Sequence, residues 1–390
     1  MAIRFALLAA GAFALVACAD DAAPGGGGQG SGGTPASGGG PGSGGDGVGA
    51  GEPQGGDGAG NPSGGAAEGG AGGGAQASCI DVLSCDVAPP DPGAAGEWNH
   101  FASSIAAQSF ANHRGRDTFY NPGDTVWVMG KFAYGLLDDD IQDESVDIYL
   151  NRGCGADWEL VDSTATTQDG DHATVEGVED TGGWVFFDAT SLGLEEGRHR
   201  FHMVVRGDLT ATDAYVDVVP SGTPVIVTDV DGTLTTSENE EFTALLTGAL
   251  PNANPDSAEV LTALAEKGYR VFYLTARPEF LARRTREFLE SNGYPLGLVH
   301  TTLSFTGATG QAAVDYKTAE LATIAARGLV PSWAFGNTAT DAEAYVNASI
   351  QPDEQRVMFQ FTDDVGQSRR IEAYSELLTE IAAAPDPICP

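Results

Sequence analysis

Val225-Ile226-Val227-Thr228-Asp229-Val230-Asp231-Gly232-Thr233-Leu234-Thr235 decides how the second half of this chain is read. The β-branched run predicts a buried strand. Two carboxylates two residues apart follow it, and Gly232 lets the chain turn tightly behind them. Acids at the C-terminal end of a strand can hold Mg²⁺ and share one reaction. Asp229 is placed to attack phosphorus, and Asp231 to protonate the leaving alcohol and then activate water.

Outward from this stretch the pattern alternates between strand and helix. Residues 256–267 read as a helix, with Asp256 and Glu259 as a capping box and Gly268 as its stop. Residues 269–275 and 298–303 read as strands, 278–291 and 317–326 as helices, and Trp333–Phe335 opens a further strand. Such alternation predicts a Rossmann-like parallel sheet covered on both faces, with the site at the C-terminal strand ends.

Three further motifs converge on that end. In Tyr273-Leu274-Thr275-Ala276-Arg277-Pro278, Thr275 ends a strand where a helix begins, so its hydroxyl and nearby N–H groups suit phosphate oxygens. Arg277 either binds the substrate head group or lies at the surface. Lys317, read at a helix start, suits a cation facing the site, because the helix dipole does not favour it there. Phe335-Gly336-Asn337-Thr338-Ala339-Thr340-Asp341 offers oxygen ligands to a hard cation. The expected set is therefore Asp229, Asp231, Thr275 and Lys317 for catalysis. Asp229, Asp231, Asn337 and Asp341 are expected for Mg²⁺, and Gly232, Thr233, Ala276 and Arg277 for substrate. Arg277, Arg283, Arg284 and Arg286 form a local basic cluster that either receives an anionic head group or is a solvated helix face.

Asp-x-Asp-Gly-Thr-Leu-Thr from Asp229, Gly-Tyr-Arg-Val-Phe-Tyr-Leu-Thr-Ala-Arg-Pro from Gly268 and Phe-Gly-Asn-x-x-Thr-Asp from Phe335 resemble the haloacid-dehalogenase-like (HAD) phosphatases. More narrowly, they are similar to the LNS2 domain of lipin-type phosphatidate phosphatases and of membrane-associated phosphatidylinositol transfer proteins. The resemblance covers about residues 224–376. It implies Mg²⁺-dependent phosphomonoester hydrolysis through an aspartyl phosphate, with phosphatidate or a related phospholipid as substrate. The alternative it implies is a non-catalytic lipid-binding module, since the transfer proteins lack the nucleophilic Asp. Here Asp229 and Asp231 both stand, which favours catalysis. About 40 residues separate successive motifs, too few for a large cap domain, and an open site suits a bulky substrate or a head group at a membrane.

The remainder of the 390 residues divides by composition. Residues 1–18 read as a lipoprotein signal with the lipobox Leu15-Val16-Ala17-Cys18, where Cys18 carries lipid; an ordinary secretory signal is the alternative. Residues 19–78 are a Gly-rich linker that cannot bury a core, with an r.m.s. reach of roughly 40 Å. Together these predict a bacterial envelope protein held to the membrane by its N-terminal lipid. Residues 79–220 read as a small antiparallel, immunoglobulin-like β-sandwich, with strands at 125–134, 146–150, 184–187, 198–205 and 214–219; residues 221–390 form the phosphatase domain. His199 and His202 point to opposite faces of one strand, so they read as packed or solvated side chains. Asp138-Asp139-Asp140 with Asp143 and Glu144 reads as an exposed loop, with Ca²⁺ binding as the weaker reading. Cys79, Cys85, Cys154 and Cys389 allow three pairings, of which Cys79–Cys85 with Cys154–Cys389 is the simplest. A net charge of −36 excludes nucleic acid as a partner. The expected partners are a phosphoester or phospholipid substrate and a membrane.

Overall fold

A computed structural model describes residues 84–135, 137–236, 249–361 and 366–384. All belong to the compact unit Ser78–Pro390. The signal and linker expected over residues 1–78, with Cys18, and the cysteines Cys79 and Cys389 lie outside the described residues.

The first part is a β-sandwich preceded by a short helix, α1 (Phe101–Ala106). Its strands are β1 (Arg114–Arg116), β2 (Thr118–Tyr120), β3 (Trp127–Lys131), β4 (Ala133–Tyr134), β5 (Asp139–Asp140), β6 (Ser145–Asn151), β7 (Glu159–Ala165), β8 (Trp184–Asp188), β9 (Gly197–Val205) and β10 (Ala211–Val218). One sheet runs β1-β3-β8 and the other β2-β10-β9-β6-β7. Every pairing in them is antiparallel except β10 with β2, which is parallel and departs from the all-antiparallel expectation. In β9 the alternation holds: Phe201, Met203 and Val205 are buried, while Arg200 and His202 on the other face pair with Asp213. His199 is buried on the first face, between the Gly153 N–H and the Glu195 carbonyl.

One sequence expectation fails here. Cys85 is joined to Cys154, with Cα atoms 4.8 Å apart, and not to Cys79. The reason is local: Arg200 donates to the Cys85 and Val87 carbonyls and holds that segment beside the turn after β6. The acidic loop, read as exposed, is in part tied down by pairing. Asp138 pairs with Arg114, Asp140 with Lys131, and the buried Glu144 accepts the Asn99 and His100 N–H groups.

The second part is a six-stranded sheet with helices on both faces. Its strands are β11 (Pro224–Thr228), β12 (Arg270–Leu274), β13 (Gly297–His300), β14 (Val330–Gly336), β15 (Arg356–Phe359) and β16 (Arg369–Ile371). The order β13-β12-β11-β14-β15-β16 is parallel throughout, as the alternation predicts. The helices are α2 (Ser257–Glu266), α3 (Ala282–Ser291), α4 (Gln311–Ala326), α5 (Ala339–Asn347) and α6 (Ser375–Ala383). The expected capping box on α2 does not form: Asp256 takes a positive φ and its side chain caps nothing. One face of the sheet packs Ile226, Tyr273 and Phe335 against α2, α3 and α6. The other packs Val225, Val227, Phe272 and Leu298 against α4 and α5.

Phe119 and Val219 of the sandwich belong to that second core, and the Phe119 ring meets Phe272 edge-on at 6.0 Å. The sandwich therefore shares this core face with α4 and α5. A buried ionic network seals the junction. Asp117 accepts the Val299 N–H of edge strand β13, the Tyr215 N–H and the Arg286 guanidinium at 2.7–2.9 Å. Arg116 donates to Glu320 at 2.7 Å, and Glu320 holds His300 at 2.6 Å. Burial would raise the Glu320 carboxyl, but Arg116 and then His300 outweigh it and hold it down at about 2.

Two outcomes follow from this junction. Asp117→Ala leaves Arg286 buried without its carboxylate. It lowers the unfolding free energy by about 3–5 kcal/mol, read as a shifted urea midpoint in a single transition shared by both parts. Glu320 contributes stability present above its unfolded pKa of 4.5 and lost as pH falls toward 2. Glu320→Gln therefore flattens the acid limb of a stability–pH curve by about 3 kcal/mol.

Candidate active site

Three strand ends build the site. β11 delivers Asp229, which is buried and whose N–H donates to the Phe335 carbonyl of the adjacent β14. Gly232, at φ +68°, turns the chain back across the sheet end. The turn is braced from afar: Asn254 donates to the Thr233 and Thr235 carbonyls at 2.7 and 2.9 Å, and Tyr374 donates to the Thr233 carbonyl at 3.0 Å. Nothing near the motif in sequence points to either residue.

β14 ends at Gly336, where an added Cβ would sit 2.5 Å from the Asp341 Cβ. Glycine is needed because the Asp341 side chain folds back over the strand end. There Asp341 accepts the Asn337 and Thr338 N–H groups at 3.2 and 3.1 Å and the Thr338 hydroxyl at 2.8 Å, completing a capping box on α5.

Lys317 reaches this point from α4. It does not open the helix, as the sequence predicted, but lies in its second turn, since α4 begins at Gln311. The helix dipole therefore does not account for its place, and the apolar stripe does. Lys317 falls on the buried stripe Val314, Leu321 and Ile324, and its stem runs through apolar packing to two carboxylates. Its ammonium donates to Asp229 Oδ1 at 2.7 Å and to Asp341 Oδ1. Burial pushes the Asp229 carboxyl up to about 7; Lys317 opposes this, and Asp341 and Asp231 add to it. Burial would lower the ammonium, but the two carboxylates outweigh it and raise its pKa.

Asp231 faces a different cation. Arg277 donates Nε and Nη2 to its two oxygens at 2.8 and 2.7 Å and Nη1 to the buried Thr285 hydroxyl at 2.9 Å. The Thr275 hydroxyl lies 3.4 Å from Asp231 Oδ2 and accepts the Arg277 N–H at 3.2 Å. Arg277 is thus neither a surface residue nor a free head-group binder in this geometry; it clamps the second acid. The Gly232 N–H donates to the Thr235 hydroxyl at 2.9 Å, and the Ala276 carbonyl accepts from Ala308 at 3.0 Å.

The expected arginine cluster also dissolves. Arg277 turns to Asp231, Arg286 to Asp117 and Arg283 to Glu287, while Arg284 donates to the Ala249 carbonyl.

For a hard cation the donor set divides. Among the described residues, no group of three or more His, Cys, Asp or Glu side chains is gathered as metal ligands. Asp341 is committed to Lys317 and its helix cap. Asp229 Oδ2 and Asn337 Oδ1, however, converge on one Thr233 hydroxyl, at 3.3 and 2.7 Å. A single hydroxyl hydrogen cannot serve both oxygens fully, so the two suit a cation placed between them.

Comparison with known proteins bears on both parts. The β-sandwich domain of PITM 1-3 matches residues 111–218, and the LNS2 domain of PITM 1-3 matches residues 226–358. Over these two stretches the chain is similar to the β-sandwich and LNS2 domains of PITM 1-3. Protein retinal degeneration B of Drosophila melanogaster is 28% identical over 262 residues, covering 66% of this chain and 19% of that protein. Membrane-associated phosphatidylinositol transfer protein 2 of Homo sapiens is 28% identical over 191 residues, covering 48% of this chain and 13% of its own length. The chain thus spans less than a fifth of these relatives. Phosphoserine phosphatase of T. onnurineus aligns at 14% identity and TM-score 0.28 over 42% of this chain and 96% of its own, too weak a likeness to add to the topology.

These relatives overturn one expectation. A bacterial envelope location was read from Leu15–Cys18, whereas the relatives of the LNS2 and sandwich domains are fly, human, mouse and rat proteins, several named as membrane-associated. No helix among the described residues is long and apolar enough to cross a membrane.

Lys317→Met removes the one ammonium between two buried carboxylates. It is expected to cost about 3–5 kcal/mol of stability, measured by urea unfolding. Thr275→Val, which keeps shape and loses only long contacts, is expected to cost less than about 1 kcal/mol in the same assay.

Proposed function

We propose that the LNS2 domain hydrolyses phosphomonoesters with Asp229 as nucleophile, and that its substrate is phosphatidate or a related phospholipid. The observation that supports this most directly is the asymmetry of the Asp229 carboxylate. Oδ1 is fixed by Lys317 at 2.7 Å, while Oδ2 accepts only the Thr233 hydroxyl at 3.3 Å among the described residues. Oδ2 is therefore the attacking atom. It forms a bond to phosphorus as the bond to the alcohol oxygen breaks, and the departing oxygen takes a proton from Asp231. Water then attacks the aspartyl phosphate, Asp231 accepts its proton, and Asp229 leaves as a carboxylate with inorganic phosphate released. Lys317 favours the ionised form of Asp229 against burial and offsets negative charge that gathers around phosphorus. The residues that would hold Mg²⁺ are Asp229, the Asp231 carbonyl and Asn337, with Asp341 fixing Lys317 behind them. Bound there, the ion would neutralise the phosphate oxygens.

A second reading has its own support. Arg277 holds Asp231 by two charge-assisted hydrogen bonds that occupy both carboxylate oxygens, leaving neither open to a leaving group. Turnover needs Arg277 to withdraw. If it does not, the same site binds a lipid phosphate without cleaving it. The relatives named as phosphatidylinositol transfer proteins lend this reading weight.

Phosphate release from an aryl phosphate and from phosphatidate micelles, with Mg²⁺ or EDTA, separates the two. Hydrolysis predicts Mg²⁺-dependent release lowered at least about 10³-fold in Asp229→Asn, consistent with removal of a nucleophile. Release unchanged by that substitution ends the mechanism, and phosphatidate binding without release selects the binding module.

A further inference from the structure

Strand β1 reads Arg114-Gly115-Arg116, and alternation puts its two arginines on one side of the strand. Gly115 faces the other way, where an added Cβ would lie 2.1 Å from the Asp213 carbonyl oxygen. Only glycine lets β1 lie this close to β10, so the arginines reach out from a fixed base. Both cross the junction. Arg114 Nη2 donates to Glu279 at 3.0 Å, and Arg116 donates Nη1 to the Thr301 carbonyl at 3.2 Å and Nη2 to Glu320 at 2.7 Å.

Glu279 and Thr301 belong to two segments that pair beside the site. Thr302 donates its N–H and hydroxyl to the Arg277 carbonyl at 3.1 and 2.9 Å, and the Glu279 N–H donates to the Ser304 carbonyl at 3.1 Å. This short ladder carries Arg277. Arg114 holds one side of it and Arg116 the other. The Arg277 side chain is held at its far end as well, by Asp231 and by the Thr285 hydroxyl, which itself donates to the Leu281 carbonyl at 3.0 Å. A guanidinium held at both ends leaves Asp231 only when one end yields.

We propose that Arg114 is a positioning residue for the site: through Glu279 it keeps Arg277 on Asp231, so the β-sandwich restrains the second acid of the LNS2 domain. Its effect on turnover rests on the proposed role of Asp231; its effect on the clamp does not. The grip is durable. Burial would lower the pKa of the Arg114 guanidinium, but Glu279 and Asp138 outweigh it and raise it, so Arg114 stays charged. Asp138 provides a control within the same arrangement. It takes the same guanidinium at 2.6 Å, while its other bonds, to Asn112 and Gly135, stay inside the sandwich.

Glu279→Ala and Asp138→Ala in the full chain test this. The Arg277 Nε–H signal, assigned by its loss in Arg277→Lys, is followed by heteronuclear NMR for its exchange with water. Exchange is expected to quicken at least about tenfold in Glu279→Ala and to match the parent in Asp138→Ala. With a water-soluble aryl phosphate, kcat is expected to rise at least about threefold in Glu279→Ala, with KM changed less than about twofold. A merely structural loss would lower kcat instead. Should Glu279→Ala not fold, Glu279→Gln, which keeps an oxygen but no charge for Arg114, is read in the same way with a smaller change. Exchange equal to the parent's in Glu279→Ala overturns the proposal, and so does equal quickening in both variants, which marks a general loosening of the junction. Faster exchange with kcat level or lower overturns the restraint on turnover. Faster exchange in Glu279→Ala alone, with no phosphate released by parent or variant, upholds the positioning role and ends the hydrolytic reading of the site.

Discussion

A lysine ammonium buried between two carboxylates is the constraint on which the site depends. An unpaired carboxylate in this position would be too costly to keep ionised. Lys317 offsets part of that cost for Asp229 and Asp341 together, and in doing so ties α4 to the ends of β11 and β14. Gly336 answers the same constraint from the other side, since only a residue without Cβ leaves room for Asp341 to fold back. Helix capping, strand termination and placement of the candidate nucleophile are therefore one arrangement seen from three residues.

The sandwich is part of the same body. It supplies Phe119 and Val219 to the core face shared with α4 and α5, and Asp117 to the N–H of an edge strand otherwise open to water. Arg116 also donates to the Thr301 carbonyl at 3.2 Å, and Thr302 beside it holds the backbone of Arg277. A continuous chain of buried polar contacts thus runs from the sandwich to the second acid of the site. This gives a physical reason for the two domains to occur together: one sets the geometry of a loop in the other.

The two acids of the Asp-x-Asp pair are treated differently by their surroundings. Asp229 sits where burial resists its charge and one cation is shared by two carboxylates. Asp231 has a bidentate guanidinium to itself. Two carboxyl groups two residues apart thereby acquire separate roles, one an oxygen poised beside a cation-ready position and the other a clamped base. In the function proposed above, opening of this clamp is what separates hydrolysis from binding.

Much of this was legible in the sequence. Val225–Val227 marked a buried strand, the alternation of elements marked the parallel sheet, and the motifs placed Asp229, Thr275 and Asn337 at strand ends and Lys317 on a helix. Those are local signals, set by side-chain branching, periodicity and turn chemistry. Asn254, Tyr374 and Thr285 carried no such signal, since each acts across a long separation. The arginines of 277–286 looked like one cluster and became four different pairs, because a helix turns neighbouring residues toward different elements. The cysteines allowed three pairings until Arg200 drew Cys85 to the turn at Cys154. Residue type and spacing determined which groups were available; which charge faced which, and what the sandwich was for, depended on contacts between distant segments that only the packed chain brings within reach.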